Sequence, residues 1–263
     1  MSVLIAIDQG TTSTRTVAFD KDLNIIHSEQ KEYPLIYPND GWVEIAPKEL
    51  MSSVYATIDP VIDACSDISA IGITNQRETT LVWDADSGQP IYNAIVWQDR
   101  RTAEQCMQLK QDGHEEAIKG ATGLLLDPYF SSTKISWILD NVGGARKRAE
   151  AGKLRFGTVD TYLLWQLTNG DIYKTDVTNA SRTNLYNIHL KKWDSKLLKI
   201  FNIPSSMLPE VQSSDSNYGT LVRGNKTIQI TGVIGDQQSA LVGQGCFQSG
   251  QMKATFGTGC FLM

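Results

Sequence analysis

Two short apolar runs near the N-terminus, residues 3–7 and 16–19, predict a pair of β-strands joined by a polar turn. The turn begins with a carboxylate, Asp8, and continues through Gly10, four hydroxyl side chains and Arg15. Glycine lets a backbone approach a ligand closely, while hydroxyl and guanidinium groups hydrogen-bond phosphate oxygens. A carboxylate at the same place can hold Mg²⁺ directly or through water. The segment therefore predicts a turn that faces phosphate and Mg²⁺, with an ordinary β-hairpin turn rich in small polar residues as the alternative.

The composition is that of an ordinary globular protein. The 263 residues are 41% hydrophobic and 20% charged, which is enough for one large core or two modest ones. The net charge of -5 argues against broad binding to nucleic acid or anionic membranes. No signal-peptide pattern or bilayer-length apolar stretch is present, and the four cysteines form no C-x-x-C pair. These features predict a cytoplasmic protein with reduced thiols, no nucleic-acid partner and no integral membrane contact.

Strand-like and helix-like patterns alternate along the rest of the chain and predict an α/β fold. A helix is expected to begin with Pro47 in its first turn, and Pro60 should kink or end it. Ser131 or Ser132 is expected to cap a later helix. The remaining predictions are strands at 68–74, 80–83, 91–97 and 228–234, helices at about 101–111 and 133–142, and helix caps at Asp160 and Asp194.

Three charged residues near strand ends are candidates for chemistry. Asp236 follows Gly235 where a buried strand passes into a helix, so it is either a general base or the helix N-cap. Arg77 and Glu78 follow another predicted strand and combine hydrogen-bond donors with acceptors. Adjacent residues of a strand point to opposite faces, so both reach one ligand only if the chain turns there. A solvated charge pair on a loop is the alternative interpretation.

The C-terminal residues 252–263 predict a strand, a Gly-Thr-Gly turn and the beginning of a second strand. Because this hairpin stops at its second strand, we expect the chain to be a fragment of a longer protein. An edge strand that completes the core is the alternative.

Six segments of the chain carry a family resemblance. They are Asp-Gln-Gly-Thr-Thr-Ser at 8–13, Gly-Ile-Thr-Asn-Gln-Arg-Glu-Thr-Thr at 72–80, Tyr-Asn-Ala-Ile-Val-Trp-Gln at 92–98, the run at 129–141, Gly-Asp-Gln-Gln at 235–238 and Gly-Thr-Gly-Cys-Phe at 257–261. Together they resemble the FGGY carbohydrate kinase family, and the similarity covers essentially the whole chain. Within that family, Asn-Gln-Arg-Glu-Thr-Thr resembles the glycerol kinases rather than the xylulose or gluconate kinases.

The resemblance implies a ribonuclease-H-like, actin-like ATPase fold, with a mixed sheet flanked by helices and two domains that close on ATP and substrate. Residues 1–246 would form the first domain, on the glycerol and phosphate-loop side, and residues 247–263 the opening hairpin of the second. The implied activity is phosphorylation of glycerol to sn-glycerol 3-phosphate by ATP and Mg²⁺, in a full-length enzyme that forms a homo-oligomer. The fragment alone is expected to be inactive. A kinase for another polyol or ketose, or a non-catalytic polyol-binding fragment, is the alternative.

The resemblance also implies roles for individual residues. Asp236 is the implied catalytic base, and Asp8 is the implied Mg²⁺ ligand. Trp97 would pack against the carbon chain of glycerol, with an ordinary core position as the alternative. The residues implied to hydrogen-bond glycerol are Arg77, Glu78, Tyr129, Asp236 and Gln237. Those implied to bind the nucleotide phosphates are Thr11, Thr12, Ser13, Arg15 and Thr258.

Overall fold

Strands and helices alternate along the computed structural model, which describes residues 2–256 and 259–263. The strands are β1 (Val3–Gln9), β2 (Ser13–Phe19), β3 (Ile25–Glu32), β4 (Glu44–Ile45), β5 (Ile68–Asn75), β6 (Leu81–Asp84), β7 (Ala94–Ile95), β8 (Leu154–Gly157), β9 (Lys174–Asp176), β10 (Tyr186–Asn187), β11 (Lys192–Trp193), β12 (Glu210–Gln212), β13 (Thr220–Arg223), β14 (Lys226–Gly235), β15 (Ala254–Phe256) and β16 (Cys260–Leu262). The helices are α1 (Pro47–Ala64), α2 (Ala103–Gln111), α3 (Glu115–Thr122), α4 (Ser131–Asn141), α5 (Ala145–Glu150), α6 (Val159–Leu167), α7 (Val177–Ala180), α8 (Ser195–Ile200) and α9 (Asp236–Gly243).

The largest sheet has six strands in the order β13-β14-β5-β1-β2-β3. Strands β1, β5 and β14 are parallel to one another, whereas β2, β3 and β13 pair antiparallel with their neighbours. An antiparallel three-strand meander joined to further parallel strands is the ribonuclease-H-like arrangement. The predicted mixed sheet is therefore confirmed, and so are the predicted strands at 68–74 and 228–234.

The register of the parallel strands aligns their carboxyl ends. Gln9 at the end of β1 and Gly235 at the end of β14 both pair with Asn75 at the end of β5. The carboxyl ends of parallel strands are where open α/β sheets bind their ligands, since the following segments diverge there and leave a crevice. The sheet thus brings three segments, distant in sequence, to one edge.

Helix α1 covers one face of the sheet. Leu50, Val54 and Ile58 recur at helical spacing and are fully buried against Ile5 and Ile7 of β1. Pro60 was expected to kink or end this helix, and it does not end it, because α1 continues four residues past it to Ala64. The proline lies on the solvent side of the helix, as does the residue one turn before it, so water can satisfy the carbonyl that loses its bond.

A second hydrophobic core lies beneath α4, α5 and α8, with β6 and β8 at its border. Helix α4 begins at Ser131 and has Phe130 as its N-cap, so the prediction of a serine cap is wrong. Ser131 instead donates its hydroxyl to the carbonyl of Glu78, at 3.1 Å. The cap predicted at Asp160 is also misplaced, because Thr158 is the N-cap of α6.

Other local predictions have mixed outcomes. Asp194 caps α8 as predicted, with its carboxylate accepting from the amide of Lys196 at 2.8 Å. The strand predicted at 91–97 is shorter, since only Ala94–Ile95 pairs, with β4. At the C-terminal end β15 and β16 form an antiparallel pair, as predicted, while Gly257 and Thr258 of their turn lie outside the described residues. Within the described residues, no helix combines the length and hydropathy needed to cross a bilayer.

Candidate active site

A cavity of about 320 Å³ opens at the edge where the three parallel strands end. It gathers side chains from the β1–β2 turn, the segment after β5, the beginning of α9 and the C-terminal hairpin. Eight of the residues proposed from the sequence line it, namely Asp8, Thr11, Arg77, Glu78, Trp97, Tyr129, Asp236 and Gln237. Residues that the chain separates by more than 200 positions therefore share one site, although only the resemblance had grouped them.

Asp236 stands at the start of α9 with its carboxylate half-exposed to the cavity. It is the first residue of the helix and Gly235 is the N-cap, so the N-cap interpretation does not apply. One carboxylate oxygen accepts from the amide of Gln237 at 2.7 Å, and the Nε of Arg77 lies 3.3 Å from the same oxygen. The other oxygen accepts from the Gln237 side chain at 3.2 Å. The carboxylate is thus fixed in direction and still open to solvent.

The chain bends sharply directly after β5, so that Arg77 and Glu78 face the same cavity. The amide of Thr79 donates to the carbonyl of Arg77 within this bend. The side chains of Arg77 and Glu78 are 6% and 1% exposed, so the interpretation as a solvated charge pair is wrong. The Nε of Arg77 is buried and has no hydrogen-bond partner among the described residues. An orphaned buried donor that borders a cavity is available to a ligand.

Glu78 and Tyr129 form the wall of the cavity that lies deepest in the protein. The Nε of Arg182 donates to Oε1 of Glu78 at 2.5 Å. The fully buried Lys134 donates to the carbonyl of Tyr129 at 2.6 Å and to that of Glu78 at 3.3 Å. Burial lowers the pKa of Lys134 to about 7, although Glu78 opposes the shift. Burial raises the pKa of Tyr129 to about 12, and the charge of Glu78 adds to this effect.

Trp97 supplies an apolar part of the cavity wall. Its ring stands edge-on to Tyr129 at 5.6 Å and to Phe261 at 5.8 Å between centroids. Its indole Nε1 donates to the hydroxyl of Thr11 at 2.9 Å, which ties this wall to the β1–β2 turn. Trp97 also packs against the large hydrophobic core, as the core interpretation expects, and its contact with the carbon chain of a ligand stays a prediction.

Buried polar side chains fix the β1–β2 turn through hydrogen bonds. The carbonyl of Gly10 accepts from the side-chain amide of Gln76 at 2.9 Å and from the hydroxyl of Tyr33. Gln9 donates to the same hydroxyl at 2.5 Å, and Thr79 donates to Gln76 at 2.8 Å. This network connects the turn to the bend that carries Arg77, so the two polar segments are positioned together.

Asp8, near the end of β1, is a third acidic side chain that lines the cavity. Partial removal from water raises the pKa of Asp8, the charge of Asp236 raises it further, and Arg15, its cross-strand neighbour, lowers it. The side chain keeps contact with solvent through the mouth of the cavity. Two carboxylates that face one cleft and repel each other make a site where a cation is favourable.

Three other residues proposed for phosphate binding, Thr12, Ser13 and Arg15, are not among the residues that line the cavity. Thr12 is exposed, Ser13 accepts from Gln30 at 3.3 Å, and the Nε of Arg15 donates to Ser28 at 3.1 Å. Thr258 lies outside the described residues. Among the described residues proposed to bind phosphate, Thr11 therefore lines the cavity, together with Asp8 and Gly10 of the same turn.

The side chain of Gln237 hydrogen-bonds both Asp236 and Lys253. Its side-chain oxygen accepts from the buried ammonium of Lys253, which also donates to Thr255 at 2.7 Å. Burial lowers the pKa of Lys253, whereas the nearby Asp236 raises it. This contact joins the C-terminal hairpin to the beginning of α9.

Sequence reasoning missed four residues that shape the site: Gln76, Lys134, Arg182 and Lys253. Gln76 could have been found, since it lies within the segment that carries the family resemblance and follows a buried strand. Lys134 also lies in such a segment, but helical spacing gives no sign that a lysine points inward. Arg182 and Lys253 have no local signal, because their partners lie elsewhere in the sequence.

The fold and the polar cleft at the ends of its parallel strands define an actin-like ATPase domain. Residues 3–243 match the N-terminal domain of the FGGY family of carbohydrate kinases, and the chain belongs to this family.

Proteins similar to the chain include the glycerol kinases of Fusobacterium nucleatum and Alteromonas mediterranea, at 58% and 57% identity. The alignments cover 100% and 99% of this chain and 54% of each relative. Among solved structures, Plasmodium falciparum glycerol kinase with ADP matches with a TM-score of 0.94 and 41% identity, over 100% of this chain and 54% of that one. Xylulose kinase from Lactobacillus acidophilus shares the fold, with a TM-score of 0.89 at 22% identity, over 100% of this chain and 54% of that one. The chain thus spans about half the length of the relatives it matches.

Proposed function

We propose that the chain is the substrate-binding half of a glycerol kinase, which transfers a phosphoryl group from ATP to a primary hydroxyl of glycerol to give sn-glycerol 3-phosphate. The observation that carries this proposal is the convergence of Arg77, Glu78 and Asp236 on one small cavity. A small uncharged triol needs both donors and acceptors, and these three side chains supply both. The edge-on ring of Trp97 offers an apolar surface for the carbon chain.

Asp236 is the proposed general base. Each oxygen of a carboxylate has two acceptor positions, so the contacts of Asp236 to Gln237 leave room for a substrate hydroxyl. Arg77 lies close to Asp236 and has an unused Nε, which supports a role in orienting the hydroxyl next to the one that attacks. Phosphoryl transfer depends mainly on such positioning and on charge stabilisation.

ATP is the proposed phosphoryl donor and Mg²⁺ the proposed cofactor. The β1–β2 turn supports this because Gly10, Thr11 and Asp8 face the cavity together. No group of three or more acidic, histidine or cysteine side chains among the described residues could hold a metal ion alone. Mg²⁺ commonly binds through one or two carboxylates together with water and substrate phosphates, so Asp8 fits as a single protein ligand. The bound ion would neutralise phosphate charge, and Thr12, Ser13, Arg15 and Thr258 complete the proposed phosphate contacts.

The domain division belongs to the same proposal. Residues 1–246 would form the first domain and residues 247–263 would open the second, with Lys253 bridging them through Gln237. We further propose a homo-oligomeric full-length enzyme that acts in the cytoplasm, where ATP is available.

The deciding experiment measures ATP-dependent ADP release by the full-length enzyme that contains this domain, with glycerol, xylulose and gluconate as substrates. Glycerol should be strongly preferred. Arg77→Ala and Glu78→Ala should each raise the glycerol KM, because the loss of a buried hydrogen-bonding partner costs about 1–3 kcal/mol, while the ATP KM changes little. Arg146→Ala, which removes an ion pair to Asp140 far from the cavity, is the control.

Preference for a ketose would assign the domain to another kinase of the family. Polyol binding without turnover would make it a binding module. A rise in the ATP KM at constant glycerol KM would place Arg77 and Glu78 on the nucleotide side.

A further inference from the structure

Glu78 is proposed to bind substrate, yet its carboxylate is almost completely buried, since the side chain is 1% exposed. A buried carboxylate requires a counter-charge and hydrogen bonds, or its burial is unfavourable. Arg77 is adjacent in sequence, but its Nε is 3.8 Å from Oε1 of Glu78 and only 3.3 Å from Asp236. Arg77 is therefore directed mainly toward Asp236, the proposed general base, and Glu78 needs another cation.

Arg182 supplies that cation from behind the cavity wall. Its Nε donates to Oε1 of Glu78 at 2.5 Å, and its guanidinium carbon lies 5.5 Å from the ring centre of Tyr129 and 5.0 Å from that of Phe130. Among the described residues, no donor bonds the second oxygen, Oε2. The contacts therefore occupy one oxygen of the carboxylate and leave the other available.

The segment that carries Arg182 is anchored to the same sheet edge. The amide of Arg182 donates to the carbonyl of Asn179 at 3.0 Å, directly after α7. Asn179 exchanges two side-chain hydrogen bonds with Asn75 at the end of β5, at 2.9 and 3.1 Å. The residue that orients Glu78 and the strand that delivers Glu78 are thus fixed to each other, which preorganises the carboxylate before a ligand arrives.

We propose that Arg182 is a positioning residue for polyol recognition, which holds Oε1 of Glu78 so that Oε2 accepts a hydrogen bond from a substrate hydroxyl. This inference rests on the proposed function, since it assigns Arg182 a role in the same glycerol site. The charged and titratable groups around Glu78 are Arg77, Arg182, Tyr129 and Lys134, and Arg182 makes the shortest contact with its carboxylate.

The test compares four forms of the full-length enzyme: the parent, Arg182→Met, Glu78→Gln and the double variant. Arg182→Met should raise the glycerol KM about tenfold or more, because a charge-assisted hydrogen bond to a buried carboxylate is lost. The ATP KM should stay within twofold of the parent value. In the Glu78→Gln background, Arg182→Met should have little further effect, since the carboxylate that it positions is gone. Arg182→Lys should restore part of the lost glycerol affinity.

Arg146→Met is the matched control, because Arg146 is similarly buried, at 20% exposed against 22% for Arg182, and pairs with an aspartate away from the cavity. It should leave both KM values unchanged. Multiplicative effects of Arg182→Met and Glu78→Gln, or equal losses in kcat and both KM values, would overturn the inference and indicate a merely structural role. If Glu78→Gln itself leaves the glycerol KM unchanged, the proposed function fails instead, so the two failures are distinguishable. Thermal unfolding of each variant identifies forms that do not fold. If Arg182→Met does not fold, the glycerol KM of Arg182→Lys tests the inference instead: a raised glycerol KM at constant ATP KM supports it, and an unchanged glycerol KM overturns it.

Discussion

At the scale of single residues, the position of Asp236 depends on how the preceding residue, Gly235, is held. The amide of Gly235 donates to the hydroxyl of Thr178 at 2.8 Å, and that hydroxyl in turn donates to Asp176 at 2.6 Å. The beginning of α9 is therefore tied to the buried end of β9. A carboxylate held in this way keeps one orientation toward a substrate, as general-base catalysis requires.

Asp236→Asn should preserve the shape of the site and remove proton acceptance. General-base contributions are about 10²–10⁴-fold, so we expect kcat to fall by that range while the fold is retained. Steady-state kinetics of the full-length enzyme measure the effect. Asp194→Asn is the control, because asparagine also caps helices well and Asp194 lies away from the cavity. A kcat for Asp236→Asn within a few-fold of the parent would rule out Asp236 as the base.

Gly235→Ala should impair polyol binding through Arg77. A Cβ atom at this position would lie 2.7 Å from Cδ and 2.8 Å from Cγ of Arg77, closer than carbon atoms tolerate, so the arginine stem must move. We expect the glycerol KM to rise several-fold with a smaller change in the ATP KM. Gly72→Ala is the matched control on β5, because its Cβ would meet no atom within 4 Å. Equal kinetics for the two variants would show that the site tolerates displacement of Arg77.

At the scale of secondary-structure elements, a buried acid joins α6 to β9. Asp160 accepts from the hydroxyl of Thr158 at 2.5 Å and from that of Thr175 at 2.6 Å. Burial raises the pKa of Asp160 to about 7, and the charge of Asp176 adds to the rise. The folded state therefore favours the protonated acid more than the unfolded chain does.

The pH dependence of stability should reflect this shift. A raised folded-state pKa stabilises the fold fully below the unfolded value of 3.8, and this contribution is lost as pH rises through about 7. Each pKa unit corresponds to about 1.4 kcal/mol, so a few kcal/mol are at stake. Urea unfolding of the parent and of Asp160→Asn, from pH 4 to pH 8, should show the parent losing stability relative to the variant across this window. A difference that does not vary with pH would contradict the assignment.

The sequence predicted the elements whose signals are local. The strand that becomes β14 and the cap at Asp194 follow from patterns within a few residues, and the β1–β2 turn follows from one glycine between two apolar runs. The start of helix α1 at Pro47 was predicted correctly. The effect of Pro60 was not, because it depends on which side of the helix faces water.

The site was predictable only in part, because its contacts are not local. The polar bend after β5 and the acid at the start of α9 stand out in the sequence, yet buried Glu78 has its cationic partners in Lys134 of α4 and Arg182 beyond α7. Glu78 and Arg182 are separated by 104 positions, and no periodicity connects them. The family resemblance was enough to group the residues that line the cavity. Arg182, the cation that pairs with Glu78, could be found only from the folded structure.

At the scale of the whole molecule, the described residues build one side of a cleft. The residues proposed for polyol binding, Arg77, Glu78, Trp97, Tyr129 and Asp236, all line one cavity. The C-terminal hairpin is less supported, since among the described residues β15 pairs only with β16. An isolated two-stranded hairpin is marginally stable in water, so the contact of Lys253 with Gln237 is an important anchor for it.

The 263-residue chain by itself should fold, bind glycerol and release almost no ADP. Two hydrophobic cores stabilise it, so we expect the chain to be folded and to unfold on heating. In-line phosphoryl transfer, however, needs phosphate contacts on both sides of a closed cleft, and these contacts position the reacting groups. Calorimetry with glycerol measures binding, and a coupled ADP-release assay measures turnover. Both are run on the chain and on the full-length enzyme.

Limited proteolysis with mass spectrometry completes this test. Cleavage should begin after Gly245, because the hairpin beyond it makes few contacts with the two cores, and glycerol should not protect it. Lys253→Met should speed that cleavage, since it removes the link to Gln237, whereas Lys199→Met at an exposed position of α8 should not. If the chain alone turned over near the full-length rate, the second domain would not be needed for catalysis, and the two-domain mechanism would be wrong. Loss of glycerol binding with the fold intact would instead locate part of the polyol site outside these residues.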